Sequence, residues 1–297
     1  MATISIVNKL AIQWQIGNEC NFKCDYCHVD YHSGSNPFLS YEQFQKGFSN
    51  LNTSVEKYDL IEIEFQGGEP TISPAIRDKI ADSTDPRYKY ILTTNASADL
   101  AWWQRAVANL SHVVLAYHPQ CDIDHFNQVV EIVKQSKVRF SVVVNAHNDR
   151  SKWDTAIDTY DYYASKYQPV QFKALFADYG KGNNKFLSYN SDQWAFYLEV
   201  NNIKAPKDEP VEDQIQWVEE RLYNNYKGHL CWAGINQIVI DYFGYAYRGW
   251  CHSNGGFGNI FETPIELDVQ PRVCPKIVCK NGFDLLAKKS EKSWGMS

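Results

Sequence analysis

The run Ala11-Ile12-Gln13-Trp14-Gln15-Ile16 reads as a β-strand, and it leads through Gly17-Asn18-Glu19 into Cys20-Asn21-Phe22-Lys23-Cys24-Asp25-Tyr26-Cys27. Three cysteines thus follow the strand at the spacing C-x3-C-x2-C, with no fourth cysteine nearby. Clustered thiolates favour an iron-sulfur centre or zinc. A cluster of the 4Fe-4S type normally takes one thiolate per iron, so three in one loop leave one iron open to a non-protein ligand. An open coordination position is where metal chemistry occurs. The competing reading is a closed zinc site in which His28 or His32 joins Cys20, Cys24 and Cys27.

Outward from this loop, short β-type runs alternate with helical stretches. Strands are expected over residues 60–65, 90–94, 112–117, 138–144 and 170–176. Ser40-x-x-Gln43 forms a capping box, and residues 126–134 carry apolar side chains at helical spacing. Strands separated by helices favour a parallel sheet with right-handed crossovers. The cysteine loop would leave the carboxyl end of strand one, the end at which barrel enzymes keep their active-site groups. A transition follows over residues 183–222, with a charged helix expected over 211–222. From Cys231 the pattern changes: residues 238–247 read as two strands around a tight turn near Gly244.

The 297 residues are 44% hydrophobic, 22% charged and 14% aromatic, a globular composition without low-complexity tracts or internal repeats. A formal net charge of -6 and no dense basic run argue against a grip on nucleic acid through phosphates. There is no signal sequence at the amino terminus and no long uncharged apolar window, so a soluble, cytoplasmic protein without a membrane partner is expected. Eight cysteines in such a chain point to metal binding or catalysis rather than to disulfides.

The second expected strand runs into Gln66-Gly67-Gly68-Glu69-Pro70. By itself this is a tight turn. Together with the upstream C-x3-C-x2-C it resembles the radical S-adenosylmethionine (radical SAM) superfamily. The resemblance implies an α/β fold built on a partial (β/α)6 TIM-like barrel. It makes Cys20, Cys24 and Cys27 the ligands of a catalytic 4Fe-4S cluster whose open iron is chelated by S-adenosylmethionine. Gly67 and Gly68 would let the backbone approach the methionyl ammonium, Glu69 would anchor the turn and Pro70 would complete the motif. Tyr26 matches a position near the adenine. Thr94, Asn95 and Asn145, at the ends of strands three and five, resemble segments that contact the ribose and methionyl parts, although Asn is also common at strand ends for turn reasons. Tyr117, His118 and Lys173 are candidates to face the substrate from the barrel mouth.

Cys231, Cys251, Cys274 and Cys279, with the hairpin between the first two and Gly258-Asn259-Ile260 after the second, resemble the Twitch form of the SPASM auxiliary-cluster extension. That implies one further 4Fe-4S cluster, fully ligated by protein, in a small hairpin-plus-helix domain. Zinc satisfies four thiolates equally well. The expected division is a radical SAM core over 1–182, a connecting helical segment over 183–227 and the auxiliary domain over 228–297. A fully ligated cluster would accept or relay an electron, or brace the domain. Cys121 is left over, a thiol in a loop at the barrel mouth.

In the family, a flavodoxin- or ferredoxin-type donor reduces the first cluster, S-adenosylmethionine is cleaved to a 5′-deoxyadenosyl radical, and that radical abstracts hydrogen from substrate. With an auxiliary cluster the expected outcome is oxidation or cross-linking of a peptide or protein side chain. The first strand begins at Ala11 with no leader-binding domain expected ahead of it, so a small polar metabolite (sugar, nucleotide or amino acid) stands nearly level. A non-catalytic metal-binding or electron-transfer protein is the alternative of another class. It needs neither the glycine turn nor an open site.

Overall fold

The computed structural model describes residues 8–27, 32–136, 138–167, 169–176, 186–203, 226–277, 279 and 281–292. Six strands, β1 (Lys9–Gln15), β2 (Leu60–Gln66), β3 (Tyr88–Thr94), β4 (Leu110–Tyr117), β5 (Arg139–Ala146) and β6 (Val170–Ala174), pair in sequence order and all in parallel. Each is followed by a helix: α1 (Tyr41–Ser54), α2 (Pro74–Ala81), α3 (Leu100–Ala106), α4 (Ile123–Gln135), α5 (Arg150–Ala164) and α6 (Ser191–Val200). This is the expected partial (β/α)6 barrel. The helix expected over 211–222 and His28 lie outside the described residues; α6 falls within the expected connecting segment. No helix among the described residues is long and apolar enough to cross a membrane.

Local signals set the helices. Ser40 and Gln43 close the capping box at the start of α1, whose Phe44, Phe48 and Leu51 then recur on one buried face. Asp122 caps α4 by accepting from two backbone N–H groups, and Phe126, Val129, Val130 and Val133 turn inward. Strand alternation divides the sheet into two faces. Leu10, Ile12 and Trp14 of β1 and Ile61, Ile63 and Phe65 of β2 are buried against the helices, with Trp14 stacked on Phe44 at 5.4 Å. The opposite face is polar. Gln13 Nε2 donates to Glu64 Oε2 at 2.6 Å, Thr93 Oγ1 to Glu64 Oε1 at 3.1 Å, and Lys9 pairs with Glu62 at 2.6 Å. Parallel register extends this polar face through Asn145, the neighbour of Lys173.

Beyond α6 come β7 (His229–Cys231), β8 (Gln237–Ile240), β9 (Tyr245–Tyr247), β10 (Gly256–Asn259), β11 (Arg272–Val273), α7 (Gly282–Leu286) and β12 (Lys289–Lys292). The expected hairpin is β8 with β9, antiparallel. It joins the barrel sheet: β8 lies parallel to β1, giving the order β10-β9-β8-β1-β2-β3-β4-β5-β6. β11, β7 and β12 form a separate three-stranded sheet.

Candidate functional site

The cysteine loop leaves the carboxyl end of β1 and the glycine turn leaves the adjacent end of β2. Gly67 (φ +111°) and Gly68 (φ +44°) occupy conformations that side chains avoid, and a Cβ on either would overlap the carbonyl oxygens of Gly17 and Glu19 respectively. The Glu69 N–H then donates to the Glu19 carbonyl at 2.9 Å, and the Ile16 N–H to the Gln66 carbonyl at 2.9 Å. The sequence expectation assigned the glycines to a cofactor's approach. In the direction a Cβ would take, their close neighbour is the chain itself, so they also dock the cysteine loop against the turn.

Glu69 is 2% exposed, and its carboxylate accepts from the Thr71 N–H (3.0 Å), the Thr71 hydroxyl (2.6 Å), the Thr94 hydroxyl (2.7 Å) and the Asn95 N–H (2.7 Å). Burial raises its pKa against the lowering effect of those donors. Pro70 opens the short 3-10 turn that presents Thr71. Asn95 in turn donates to Asn21 Oδ1 at 2.9 Å, and Asn21 to the Ser97 hydroxyl at 2.9 Å. Glu69, Thr94 and Asn95 therefore tie β2, β3 and the cysteine loop into one frame.

Within that frame Cys24 is the most enclosed of the three thiols, at 9% exposure. Its sulfur lies 3.2 Å from Gln120 Nε2, which donates to it, and 3.3 Å from His118 Nδ1. The Phe22 N–H points to Cys20 Sγ at 3.4 Å. Burial pushes the Cys20 and Cys27 thiols up to about 11 and raises Cys24; Cys24 raises both of the others further, and Cys27 raises Cys20. Thiols so desolvated become thiolates when a cationic centre replaces the lost hydration. Tyr26 hydrogen-bonds His118 through its hydroxyl with the two rings nearly parallel, and its ring lies 6.3 Å from that of His147. Burial, then the Lys173 ammonium, lowers His118 to about 4, so its ring is neutral at neutral pH.

Tyr117 does not join this group. As the neighbour of His118 on an alternating strand it falls on the helix side, 8% exposed and edge-on to Phe126 at 5.8 Å. The expectation that both would face the barrel mouth is corrected by the two-residue period of the strand. Asn145, 8% exposed, donates to the Tyr117 carbonyl at 3.3 Å, and Lys173 sits beside it in register. Asp25, inside the cysteine loop, pairs with Lys152 and lies 3.5 Å from His147 Nε2. His32 Nε2 contacts the Cys27 carbonyl at 3.3 Å, which turns that nitrogen toward backbone rather than toward a shared metal.

The second set is assembled from four segments. Cys231 ends β7 between Arg272 of β11 and Lys289 of β12. The Cys274 N–H donates to the His229 carbonyl at 2.8 Å. Asp284, 4% exposed on α7, accepts the N–H groups of Trp250 (2.9 Å) and Cys251 (2.8 Å), and burial raises its pKa. Burial pushes Cys279 up to about 12, against the Lys289 ammonium, with Cys251 and Cys231 close enough to raise it further. The buried Ser253 hydroxyl, two residues past Cys251, has no hydrogen-bond partner, a donor that a sulfur-rich centre would accept. All eight cysteines are free thiols. Among the described residues no three or more His, Cys, Asp or Glu side chains converge on a single ion position. The donor sets nevertheless suit clusters, whose thiolates bind separate irons.

Gln120, Asn21, Lys152 and Asp284 escaped the sequence reading. Gln120 and Asn21 had a positional signal, since both follow strands at the end where the cysteines lie. Asp284 had none.

No protein-family model matches the chain. Among curated proteins it is similar to a "Probable GTP 3',8-cyclase" of Saccharolobus islandicus, 27% identical over 147 residues, 43% of this chain and 46% of the relative. The matched region thus spans less than half the length of that relative. Among solved structures it resembles anSMEcpe with bound AdoMet, with a TM-score of 0.54 and 18% identity over 86% of this chain and 79% of the other. That protein has also been solved with AdoMet and a Kp18Cys peptide. Streptococcus suis SuiB bound to precursor peptide SuiA gives a TM-score of 0.51 and 14% identity over 87% of this chain and 64% of the other. These neighbours are radical SAM enzymes. At such identities the likeness is one of fold, and it agrees with the resemblance drawn from the two motifs.

Proposed function

We propose that this chain is a radical SAM enzyme with Cys20, Cys24 and Cys27 as the protein ligands of its catalytic 4Fe-4S cluster. When bound, that cluster and S-adenosylmethionine supply a 5′-deoxyadenosyl radical that takes hydrogen from an unactivated carbon. The single observation that favours this reading over a non-catalytic metal carrier is the clasp of Gly67 and Gly68 on the Gly17 and Glu19 carbonyls. It fixes a three-thiol loop, incomplete by one ligand, at the barrel end where substrate and cofactor enter. A carrier gains nothing from an open position.

The residues of the chain then have distinct tasks. Glu69, Thr94 and Asn95 hold the loop in place, Tyr26 and Asn145 border the cofactor side, and His118 and Lys173 face the substrate. Cys231, Cys251, Cys274 and Cys279 hold a second 4Fe-4S cluster in a Twitch-like unit over 228–297, suited to taking an electron from a substrate radical. The reductant is a flavodoxin- or ferredoxin-type protein, and the setting is cytoplasmic, where free thiols persist.

The preferred substrate is a peptide or protein side chain, with oxidation or cross-linking as outcome. The peptide complexes of two proteins of similar fold support it. A small polar metabolite is the second reading, favoured by the likeness to a nucleotide cyclase. The test is anaerobic reconstitution with iron and sulfide, reduction with dithionite, and assay for 5′-deoxyadenosine. The intact protein should hold about eight irons and eight sulfides, four for each cluster, and Cys24→Ala should abolish 5′-deoxyadenosine. Continued 5′-deoxyadenosine formation by Cys24→Ala, or zinc in place of iron at the first loop, overturns the reading.

A further inference from the structure

The turn that leaves β4, Tyr117-His118-Pro119-Gln120-Cys121, belongs to neither cysteine set yet touches the first. Gln120 Nε2 donates to Cys24 Sγ at 3.2 Å. An amide nitrogen can only donate, so the direction of that bond is fixed by chemistry. His118 Nδ1 also reaches the sulfur, at 3.3 Å, but the same nitrogen is engaged by the Tyr26 hydroxyl. The Tyr26 hydroxyl also bonds this sulfur, so the part that belongs to the turn is the donation from Gln120. The turn is closed by its last residue: the Cys121 N–H donates to the His118 carbonyl at 2.9 Å, Cys121 Sγ accepts the His118 N–H at 3.4 Å, and the thiol reaches the Asn95 carbonyl at 3.8 Å. Cys121 therefore closes the turn on itself and ties it, through Asn95, to the frame that holds the cysteine loop.

We propose that this turn sets the reduction potential of the centre held by the first cysteine loop, Gln120 through its hydrogen bond to Cys24 and Cys121 by holding the turn that presents it. The inference rests on the function proposed above and adds a role for two residues outside the ligand set. Hydrogen bonds to ligating sulfur are among the levers by which a protein moves the potential of an iron-sulfur centre. An N–H donor disperses negative charge on the thiolate, and the reduced centre carries one negative charge more than the oxidised one. The bond therefore favours the reduced state and raises the potential. Gln120 is itself exposed, so its side chain can be changed without opening the core. It is a positioning residue, acting through Cys24.

The experiment is an anaerobic redox titration, followed by electron paramagnetic resonance, of reconstituted protein in which Cys231 and Cys251 are replaced by Ser so that only the first centre contributes. Gln120→Leu should keep full iron at the first loop and move the midpoint to a more negative value. Gln120→Glu, which replaces the donor with a negative charge, should move it at least as far. Cys121→Ala should shift it in the same direction. Cys121→Ser, whose hydroxyl can accept from His118 and donate to Asn95, should restore the original midpoint. An unchanged midpoint in Gln120→Leu at full iron content overturns the role of Gln120, and an unchanged midpoint in Cys121→Ala overturns that of Cys121. Failure of the underlying reading looks different: no cluster forms at the first loop in any of the proteins, and Cys24→Ala leaves the iron content unaltered.

Discussion

Two residues show how tightly the first loop is held. A Cβ at Gly68 overlaps the Glu19 carbonyl and would dislodge the bond from the Glu69 N–H. Gly68→Ala should therefore lower iron from about eight to about four per chain, with the second cluster retained and S-adenosylmethionine cleavage lost. Iron counts near eight in a folded Gly68→Ala protein would mean that the clasp is dispensable. Ala96, 1% exposed, sits at φ +65°, with its N–H donating to the Thr94 hydroxyl at 3.0 Å and its carbonyl accepting from His125. Left-handed backbone costs a non-glycine residue about 1 kcal/mol or more, while glycine adds unfolded-chain entropy worth roughly 0.4–1 kcal/mol. Ala96→Gly should stabilise the fold by about 0.5 kcal/mol in urea denaturation; a clear loss of stability would show the strain to be absent. The placement of the cysteine loop and the glycine turn at the ends of the first two strands was legible, because it lies in spacing. The roles of Glu69 and Asn95 were only partly legible, because their partners come from other elements, 25 and 74 positions away for the Thr94 and Asn21 contacts. Tyr117 misled for a local reason, since a strand end invites both neighbours to be assigned to one face.

At the scale of elements, alternation made the six strands of the barrel readable, with their ends displaced by a residue or two, and capping and spacing made α1 and α4 readable; α6 was not, since the polar stretch that holds it was expected to turn helical only over 211–222. The hairpin was readable as well, from its glycine turn. Its destination was not, because a hairpin signal is local and does not say which sheet edge it will extend. What fixes the segment after the hairpin is a buried ion pair. Asp268 accepts from Arg248 Nη2 at 2.9 Å and from Arg272 Nη2 at 3.1 Å, and Arg248 Nη1 donates to the Gly255 carbonyl at 2.8 Å. Burial tends to raise the Asp268 pKa, but the two guanidinium groups outweigh it and the net shift is downward. A carboxylate with a lowered folded-state pKa contributes stability above its unfolded value, about 3.9, and loses it as pH falls through the folded value. The stability difference between the native protein and Asp268→Asn should therefore be largest at neutral pH and shrink below about pH 4. A pH-independent difference would remove the charge from the explanation. Asp268→Ala, which leaves Arg248 buried without its partner, should cost about 3 kcal/mol at neutral pH.

On the scale of the whole molecule, the carboxyl-terminal section and the barrel share structure rather than merely adjoin. β8 extends the sheet through β1, the Ala11 N–H donates to the Asn236 carbonyl at 2.9 Å, and the Tyr58 hydroxyl donates to the Ile235 carbonyl at 2.6 Å. Phe261 lies 6.4 Å from the ring of Trp14 and so close to Gly47 of α1 that a Cβ there would meet it at 2.8 Å. The Trp250 indole, next to Cys251, donates to Gln13 on the polar face of the barrel at 2.7 Å. This last contact brings the segment bearing Cys251 to the wall of the barrel. It also makes a stability prediction that separates a shared core from two independent ones. If the core is shared, urea unfolding followed by tryptophan fluorescence and by far-ultraviolet circular dichroism should give one coincident transition. Phe261→Ala, which removes a half-buried ring from the seam, should shift that transition as a whole by about 2 kcal/mol. Two separated transitions, with Phe261→Ala moving only one of them, would instead mean that the section bearing the second cysteine set folds by itself and that its position against the barrel is set by weaker forces than the ladder and the Trp14 cluster.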